Sequence, residues 1–160
     1  MRIVTWNLNG IRAASRKGLN DFIDKIDSDI WLFQEVRALP EQMPKDWVPH
    51  GGHEAIWHPA QKKGYSGVST WSRVGISEEG RGIPTIVDID DSEGRVLYTK
   101  HGSLHCINIY LPNGSSNEER QRFKDQWLED LLTWSKKFID LDEPVLICGD
   151  LNIAHTENDI

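Results

Sequence analysis

The sequence feature that most constrains the fold is the stretch over residues 144–152. It begins as an apolar run from Val145 to Cys148 and ends in Gly-Asp-Leu-Asn. Apolar residues fill both alternating sets of positions, so both faces of this predicted strand are expected to be buried. Asp150 and Asn152 are two residues apart, which points both side chains to the same side of an extended chain. Taken alone, the pattern is equally compatible with an ordinary Asp/Asn turn.

Three other predicted strands also end in polar side chains. These strands cover residues 2–9, 29–36 and 103–111, and the polar side chains at or near their ends are Asn7, Gln34, Glu35, Asn108 and Tyr110. Active sites of sheet proteins tend to lie beyond strand ends. If these ends meet, they assemble carboxylates, amides and a phenol, and such oxygen ligands suit a hard divalent cation such as Mg²⁺. The sequence contains no Cys/His cluster with zinc spacing and no phosphate-binding loop motif.

The rest of the chain predicts an α/β fold. Apolar residues at helical spacing predict an amphipathic helix over residues 12–27 and a long helix over residues 117–139, with Ser116 in a capping box. Further strands are predicted over residues 53–58, 67–73, 85–90 and 95–101, with residues 38–50 irregular and residues 75–84 as a loop. Strands outnumber helices, which favours a mixed sheet covered by helices on one face.

Composition narrows the class of protein. The 18 basic and 25 acidic residues give a net charge of −7, which suits a cation site and is not typical of a nucleic-acid-binding domain. The two cysteines, Cys106 and Cys148, lie in apolar runs, which favours a reducing, cytoplasmic location. The sequence shows no signal peptide and no apolar run approaching roughly 18 residues, so no membrane association is expected.

Five motifs follow one another along the chain. They are Thr5-Trp6-Asn7-Leu8-Asn9-Gly10, Leu32-Phe33-Gln34-Glu35, Lys63-Gly64-Tyr65-Ser66-Gly67-Val68, Asn108-Ile109-Tyr110-Leu111-Pro112-Asn113-Gly114 and Gly149-Asp150-Leu151-Asn152-Ile153-Ala154-His155. In this order they resemble the motifs of the exonuclease III family of apurinic/apyrimidinic (AP) endonucleases, within the endonuclease/exonuclease/phosphatase superfamily. The third and fourth motifs point to the DNA-repair branch of that superfamily.

The resemblance implies a role for each matched residue. Glu35 would be the principal ligand of Mg²⁺, with Mn²⁺ as an alternative metal, and Asn7 would lie beside it in the metal and phosphate network. Tyr110 would be the catalytic tyrosine next to the scissile phosphate. Asp150 would orient or deprotonate the attacking water, and Asn152 would donate a hydrogen bond to the charged transition state. Asp150 and Asn152 would also belong to the metal site.

The resemblance also implies a reaction and a partner. The reaction is Mg²⁺-dependent hydrolysis of DNA phosphodiester bonds in base-excision repair, by an AP endonuclease or 3′–5′ exonuclease. The expected partner is double-stranded DNA with abasic sites or 3′-blocked ends. Arg12, Lys63 and Arg95 are candidate contacts to its backbone, although each is as readily a solvated surface charge.

The fold implied by the resemblance is a four-layer α/β/β/α sandwich of the DNase I-like type. The chain is expected to supply about the first half of it, with residues 1–160 as the N-terminal portion of a single endonuclease/exonuclease/phosphatase domain. The strands over residues 2–9, 103–111 and 144–150 would then form one sheet with an open face. The second half of the fold, or another chain, would cover that face.

The chain departs from the family in one respect that bears on activity. The family's Arg-x-Asp-Tyr-like motif and its Ser-Asp-His motif, which carries the catalytic histidine, have no match here. His155 matches a different family position. Weak activity is therefore expected. A phosphodiesterase of the same superfamily that acts on a phospholipid or inositol phosphate and a catalytically dead binding module remain as alternatives.

Overall fold

Two four-stranded sheets pack face to face in the computed structural model, which describes residues 1–83, 92–114, 117–154 and 156. The strands of the first sheet, in spatial order, are β1 (Ile3–Asn7), β2 (Ile30–Gln34), β4 (Val68–Ser72) and β3 (Glu54–His58). Those of the second sheet are β5 (Glu78–Arg81), β6 (Val96–His101), β7 (Leu104–Tyr110) and β8 (Val145–Asp150). The pairs β1–β2 and β7–β8 are parallel, and the other pairs are antiparallel.

Helices cover the outer face of each sheet. The α-helices are α1 (Ile11–Arg16), α2 (Leu19–Ile26) and α3 (Glu118–Ser135), and short 3₁₀ helices lie at Pro40–Gln42, His50–Gly52 and Lys136–Phe138. Apolar residues of α1 and α2 pack on the first sheet, and those of α3 pack on the second. The order of layers is therefore α/β/β/α. In the described part of the chain, no helix combines the length and the apolar character needed to cross a membrane.

Strand β2 shows why the central strands are apolar at consecutive positions. Trp31 and Phe33 point outward and join the cluster beneath α1 and α2. Ile30 and Leu32 point inward and pack against Cys106 of the second sheet. These four side chains of β2 are fully buried, because a helix layer covers one face of the sheet and the other sheet covers the other face.

The prediction that one sheet contains residues 2–9, 103–111 and 144–150 and leaves a face open is wrong. Strand β1 belongs to the first sheet, whereas β7 and β8 belong to the second. Each sheet covers the inner face of the other, so all four layers are built from the described residues. A strand sequence that is apolar on both faces indicates that both faces are buried, but it does not indicate which element covers them.

Three local predictions also need correction. The predicted helix over residues 12–27 is broken into α1 and α2 at Gly18, which has the left-handed φ of +94° that glycine adopts readily. The predicted loop over residues 75–84 contains β5. Asn117 caps α3 by accepting a hydrogen bond from the Arg120 amide. Ser116 and the predicted strand over residues 85–90 lie outside the described residues.

A buried polar contact links the two sheets in the middle of the sandwich. Gln34 Nε2 donates a hydrogen bond to Asn108 Oδ1 at 2.7 Å. Asn108 Nδ2 donates in turn to the backbone oxygens of Phe33 and Ser69, at 3.1 and 3.0 Å. Gln34 and Asn108 are fully buried, where an unpaired polar group is costly. The contact therefore favours one alignment of β2 against β7.

We predict that Asn108→Leu destabilises the fold. The substitution removes three buried hydrogen bonds, one to Gln34 and two to backbone oxygens, and each such bond contributes about 0.5–1.5 kcal/mol net to stability. Asn20→Leu, at an exposed position on α2, is the matched control and should change the free energy of unfolding by less than about 0.5 kcal/mol. Urea unfolding measures both variants, and equal stabilities for the two would contradict the prediction.

Candidate active site

The carboxyl ends of four strands meet at one end of the sandwich. Asn7, Tyr110 and Asp150 are the last residues of β1, β7 and β8, and Glu35 directly follows β2. Parallel strands end at the same edge of a sheet, so β1 with β2 and β7 with β8 deliver these side chains in two pairs. The face-to-face packing of the sheets then brings the two pairs together.

Two side-chain hydrogen bonds cross between the sheets at this site. Asn7 Nδ2 donates to Asp150 Oδ2 at 2.7 Å. The Tyr110 hydroxyl donates to the carboxylate of Glu35. Asn7 also helps to lower the pKa of Glu35. The two carboxylates, one from each sheet, are therefore each held by a side chain of the opposite sheet.

Glu35 is held as an ionised carboxylate. Burial raises its pKa, but hydrogen bonds from Tyr110 and Arg37 outweigh that effect, and the pKa lies below its usual value. Arg37 NH2 lies 3.0 Å from Glu35 Oε1. Glu35 also adopts a left-handed φ of +50°, a strained conformation for a residue with a side chain. Such strain is often concentrated at functional sites.

Tyr110 is held as a protonated phenol. Burial raises its pKa above the usual value, and the hydrogen bond to Glu35 and the charge of that carboxylate raise it further. The hydroxyl group is therefore a hydrogen-bond donor at neutral pH. A neutral donor aimed at a site for negative charge can stabilise an oxyanion.

The loop after β8 fixes the orientation of Asp150. The Asn152 backbone amide donates to Asp150 Oδ1 at 3.0 Å. Asn152 Nδ2 donates to the backbone oxygen of Leu111 at 2.8 Å, and Lys124 of α3 donates to the backbone oxygen of Asn152 at 2.8 Å. The structure thus brings Asn152 to the site and shows its side chain tying the loop to the end of β7. Its expected role toward a transition state stays a prediction.

The donor set at the site fits a hard divalent cation. Glu35 and Asp150 supply carboxylate oxygens, and Asn7 and Asn152 carry amide oxygens. Within the described ranges, no group of three or more Asp, Glu, His or Cys residues is placed so that it could hold a metal ion by itself. A cation at these residues would thus keep coordination positions for waters and phosphate, as Mg²⁺ commonly does.

Two of the three predicted DNA contacts lie on the surface beside the site. Arg12 is exposed and lines a pocket of about 390 Å³ together with Arg16, Arg37 and Gly64. Lys63 is exposed on the adjoining loop. Sequence reasoning missed Arg16 and Arg37. Arg16 lies one helical turn after Arg12, and Arg37 lies two residues after Glu35. These two spacings were the sequence signals that could have identified them.

The expectation that Arg95 contacts DNA at the surface needs correction. Arg95 is only 2% exposed. Its Nε atom lies 2.6 Å from Glu93 Oε2, and NH1 donates to the backbone oxygen of Tyr110 at 2.8 Å. Arg95 is therefore part of the support of the site. His155 lies outside the described residues.

The chain resembles several known proteins. Residues 4–160 match the Endonuclease/Exonuclease/phosphatase family. The whole chain is 35% identical to an exodeoxyribonuclease of Bacillus subtilis and 31% identical to a DNA-(apurinic or apyrimidinic site) endonuclease of Dictyostelium discoideum, covering 62% and 44% of their lengths. The structure of an AP endonuclease from Archaeoglobus fulgidus matches with a TM-score of 0.84 and 26% identity, over 98% of this chain and 59% of that one. The chain thus spans less than two thirds of each relative.

We predict that Tyr110→Phe raises the pKa of Glu35, because the substitution removes a hydrogen bond that lowers it. A lowered carboxyl pKa stabilises the folded state above the pH at which the unfolded carboxyl titrates. The hydrogen bond from Tyr110 to Glu35 therefore stabilises the folded state at neutral pH. This stabilisation is lost as the pH falls through the pKa of Glu35 in the folded state.

A pH titration of the Glu35 carboxyl by ¹³C NMR measures the change. Tyr98→Phe is the matched control, since the Tyr98 hydroxyl contacts His105 and Glu78 rather than Glu35. The control should leave the Glu35 titration unchanged. The same titration curve in Tyr110→Phe and the unsubstituted chain would show that the Tyr110 hydroxyl does not act on Glu35.

Proposed function

Because the chain belongs to the endonuclease/exonuclease/phosphatase family, we propose that it hydrolyses phosphodiester bonds in double-stranded DNA. It would act at abasic sites or 3′-blocked ends in base-excision repair, as an AP endonuclease and 3′–5′ exonuclease. One observation carries the proposal: Glu35 and Asp150 come from two different sheets, and each accepts a hydrogen bond from a side chain of the opposite sheet, Tyr110 and Asn7 respectively. The named relatives, an exodeoxyribonuclease and an AP endonuclease, support the choice of DNA.

A metal ion belongs to this proposal, since the family is one of metal-dependent nucleases. We infer Mg²⁺, with Mn²⁺ as an alternative, held by the carboxylates of Glu35 and Asp150 with the amides of Asn7 and Asn152. When bound, such an ion stabilises negative charge on phosphate oxygens and lowers the pKa of bound water.

The side chains of the site have separate tasks in the proposed reaction. Asp150 is oriented by hydrogen bonds from the Asn7 side chain and the Asn152 backbone amide, so it is placed to orient or deprotonate an attacking water. Tyr110 donates a hydrogen bond and would stabilise charge that develops on a phosphate oxygen. Asn152 would donate a further hydrogen bond to that charge.

Positive charge beside the site supports a polyanionic substrate. The chain as a whole carries a charge of −7, yet Arg12 and Arg16 line one pocket next to the Glu35 loop and Lys63 is exposed nearby. Contacts of arginine and lysine to phosphates position a protein on DNA without reading its sequence. We therefore propose Arg12 and Lys63 as backbone contacts.

A second candidate function is a binding module without catalysis. It is favoured by the absence of a Ser-Asp-His motif from the 160 residues. A general acid or base typically contributes about 10²–10⁴-fold to a rate. We therefore expect this chain to turn over substrate slowly.

We further propose that the edges of β1 and β8 are covered by residues outside this sequence or by another chain. The two strands are edge strands and lie next to each other across the sandwich. Trp6, Ile147 and Leu151 are 36–47% exposed there, and edge strands with exposed apolar residues favour pairing with a further strand.

A cytoplasmic location is supported by the two free cysteines and stays a prediction. The assignment of residues 1–160 to a single domain also stays a prediction.

We predict that the purified chain incises a duplex with a single abasic site slowly in Mg²⁺ and that a chelator abolishes the reaction. Glu35→Gln and Asp150→Asn should each lower the rate by about 10²-fold or more, because they remove the proposed metal ligand and the proposed base. Glu129→Gln, at an exposed position on α3, removes a carboxylate away from the site and should retain the rate. Gel analysis of the cleaved strand provides the measurement.

Three outcomes would contradict the proposal when sphingomyelin and a phosphoinositide are assayed beside the duplex. Hydrolysis of sphingomyelin or a phosphoinositide without DNA incision would assign the chain to the phospholipid branch of the superfamily. Binding of the abasic duplex without incision at any metal concentration would favour the binding module. Equal rates for Glu35→Gln and the unsubstituted chain would exclude Glu35 from the chemistry.

A further inference from the structure

A cluster of one buried and two half-buried charged residues lies directly behind Tyr110. It contains Arg95, which precedes β6, Glu93 in the turn before it, and Arg120 in the first turn of α3. Glu93 Oε2 lies 2.6 Å from Arg95 Nε and 2.6 Å from Arg120 NH2. Burial raises the pKa of Glu93, but hydrogen bonds from the two arginines lower it by more. The cluster is thus a pair of guanidinium groups joined by one carboxylate.

Arg95 contacts both the backbone and the aromatic ring of Tyr110. Arg95 NH1 donates to the Tyr110 backbone oxygen at 2.8 Å, and the Tyr110 amide donates to the Arg95 backbone oxygen at 2.9 Å. The guanidinium carbon lies 4.7 Å from the centre of the Tyr110 ring. A planar guanidinium at this distance favours one orientation of the ring, in which the hydroxyl reaches Glu35.

The rest of the cluster holds Arg95 in place. Glu93 accepts from Arg95 Nε, so the guanidinium cannot rotate without losing this ion pair. Arg120 binds both oxygens of Glu93, at 3.0 and 2.6 Å. Tyr65 completes the cluster, because its hydroxyl accepts from Arg95 at 3.3 Å and from Arg120 at 3.2 Å. The N-terminal turn of α3 and the loop at Tyr65 are thereby joined to the support of Tyr110.

We propose that Arg95 is a positioning residue for Tyr110 and that Glu93 and Arg120 keep it in place. The proposal rests on the proposed function in assigning Tyr110 to the reaction, but the contacts themselves do not depend on it. Arg95 is 2% exposed, so it acts through the tyrosine and not by touching DNA. Removal of Arg95 should therefore lower the rate of the chemical step and leave the affinity for DNA unchanged.

The orientation of Tyr110 can be observed without catalysis. The chain contains three tyrosines, so 3-fluorotyrosine labelling gives a ¹⁹F spectrum in which Tyr110→Phe identifies the Tyr110 signal. Arg95→Met should shift and broaden that signal, because the ring loses its stacked partner. The Tyr98 signal is the internal control. Arg122→Met removes an exposed arginine from α3 and should leave the Tyr110 signal unchanged.

Kinetics on the abasic duplex separate positioning from DNA contact. Arg95→Met should lower kcat by up to about 10²-fold, the effect expected when a reacting group is misplaced, with KM unchanged. In the Tyr110→Phe background the same substitution should add little further loss, because its effect passes through the tyrosine. A raised KM with an unchanged kcat would make Arg95 a DNA contact and overturn the proposal.

A conservative variant keeps the test decisive if Arg95→Met does not fold. Arg95→Lys retains the charge but lacks the planar fork that bonds Glu93 and Tyr110 together, so it should also shift the Tyr110 signal. An unchanged Tyr110 signal in the folded variants would overturn the proposal whether or not DNA is cleaved. A shifted signal in a chain that cleaves no DNA would support the positioning contact and contradict only the proposed function.

Discussion

The alignment of the two sheets is the constraint on which the site depends. Deep in the sandwich, Gln34 of β2 bonds Asn108 of β7. At the carboxyl ends of the strands, Asn7 of β1 donates a hydrogen bond to Asp150 of β8. Both contacts join the first sheet to the second, and a sheet shifted out of alignment would lose them together. The packing of the two sheets that closes the core therefore also brings the two carboxylates together.

Much of the fold could be predicted from apolar patterns, but the assignment of strands to sheets could not. The described strands other than β5 fall inside predicted strand segments, since each is an apolar or alternating run bounded by turn residues. Strands β1, β7 and β8 have similar patterns, yet they lie in different sheets, because burial on both faces does not reveal the covering element. Strand β5 was missed since its sequence, Glu-Glu-Gly-Arg, is polar and mostly exposed at a sheet edge.

The position of a site residue was predictable where the end of a single strand fixes it. It was not predictable where segments distant in the sequence come into contact. Asn7, Glu35, Tyr110 and Asp150 were expected because they end buried strands, and the structure brings them together. Arg95 was expected at the surface because an isolated arginine is usually solvated. Its burial depends on Glu93, Tyr65 and Arg120, which come from three parts of the chain. No pattern within a short stretch of sequence indicates a contact between segments that lie far apart in the chain.

The central claim is that two sheets jointly build one site for a divalent cation and a phosphodiester. Paramagnetic broadening of side-chain and backbone NMR signals by substoichiometric Mn²⁺ tests it most directly. The account predicts that broadening is strongest at the strand ends of both sheets, around Asn7 and Glu35 in one and Tyr110 and Asp150 in the other, and that Glu35→Gln abolishes it. Broadening confined to one sheet, located elsewhere, or unchanged in Glu35→Gln would contradict the account.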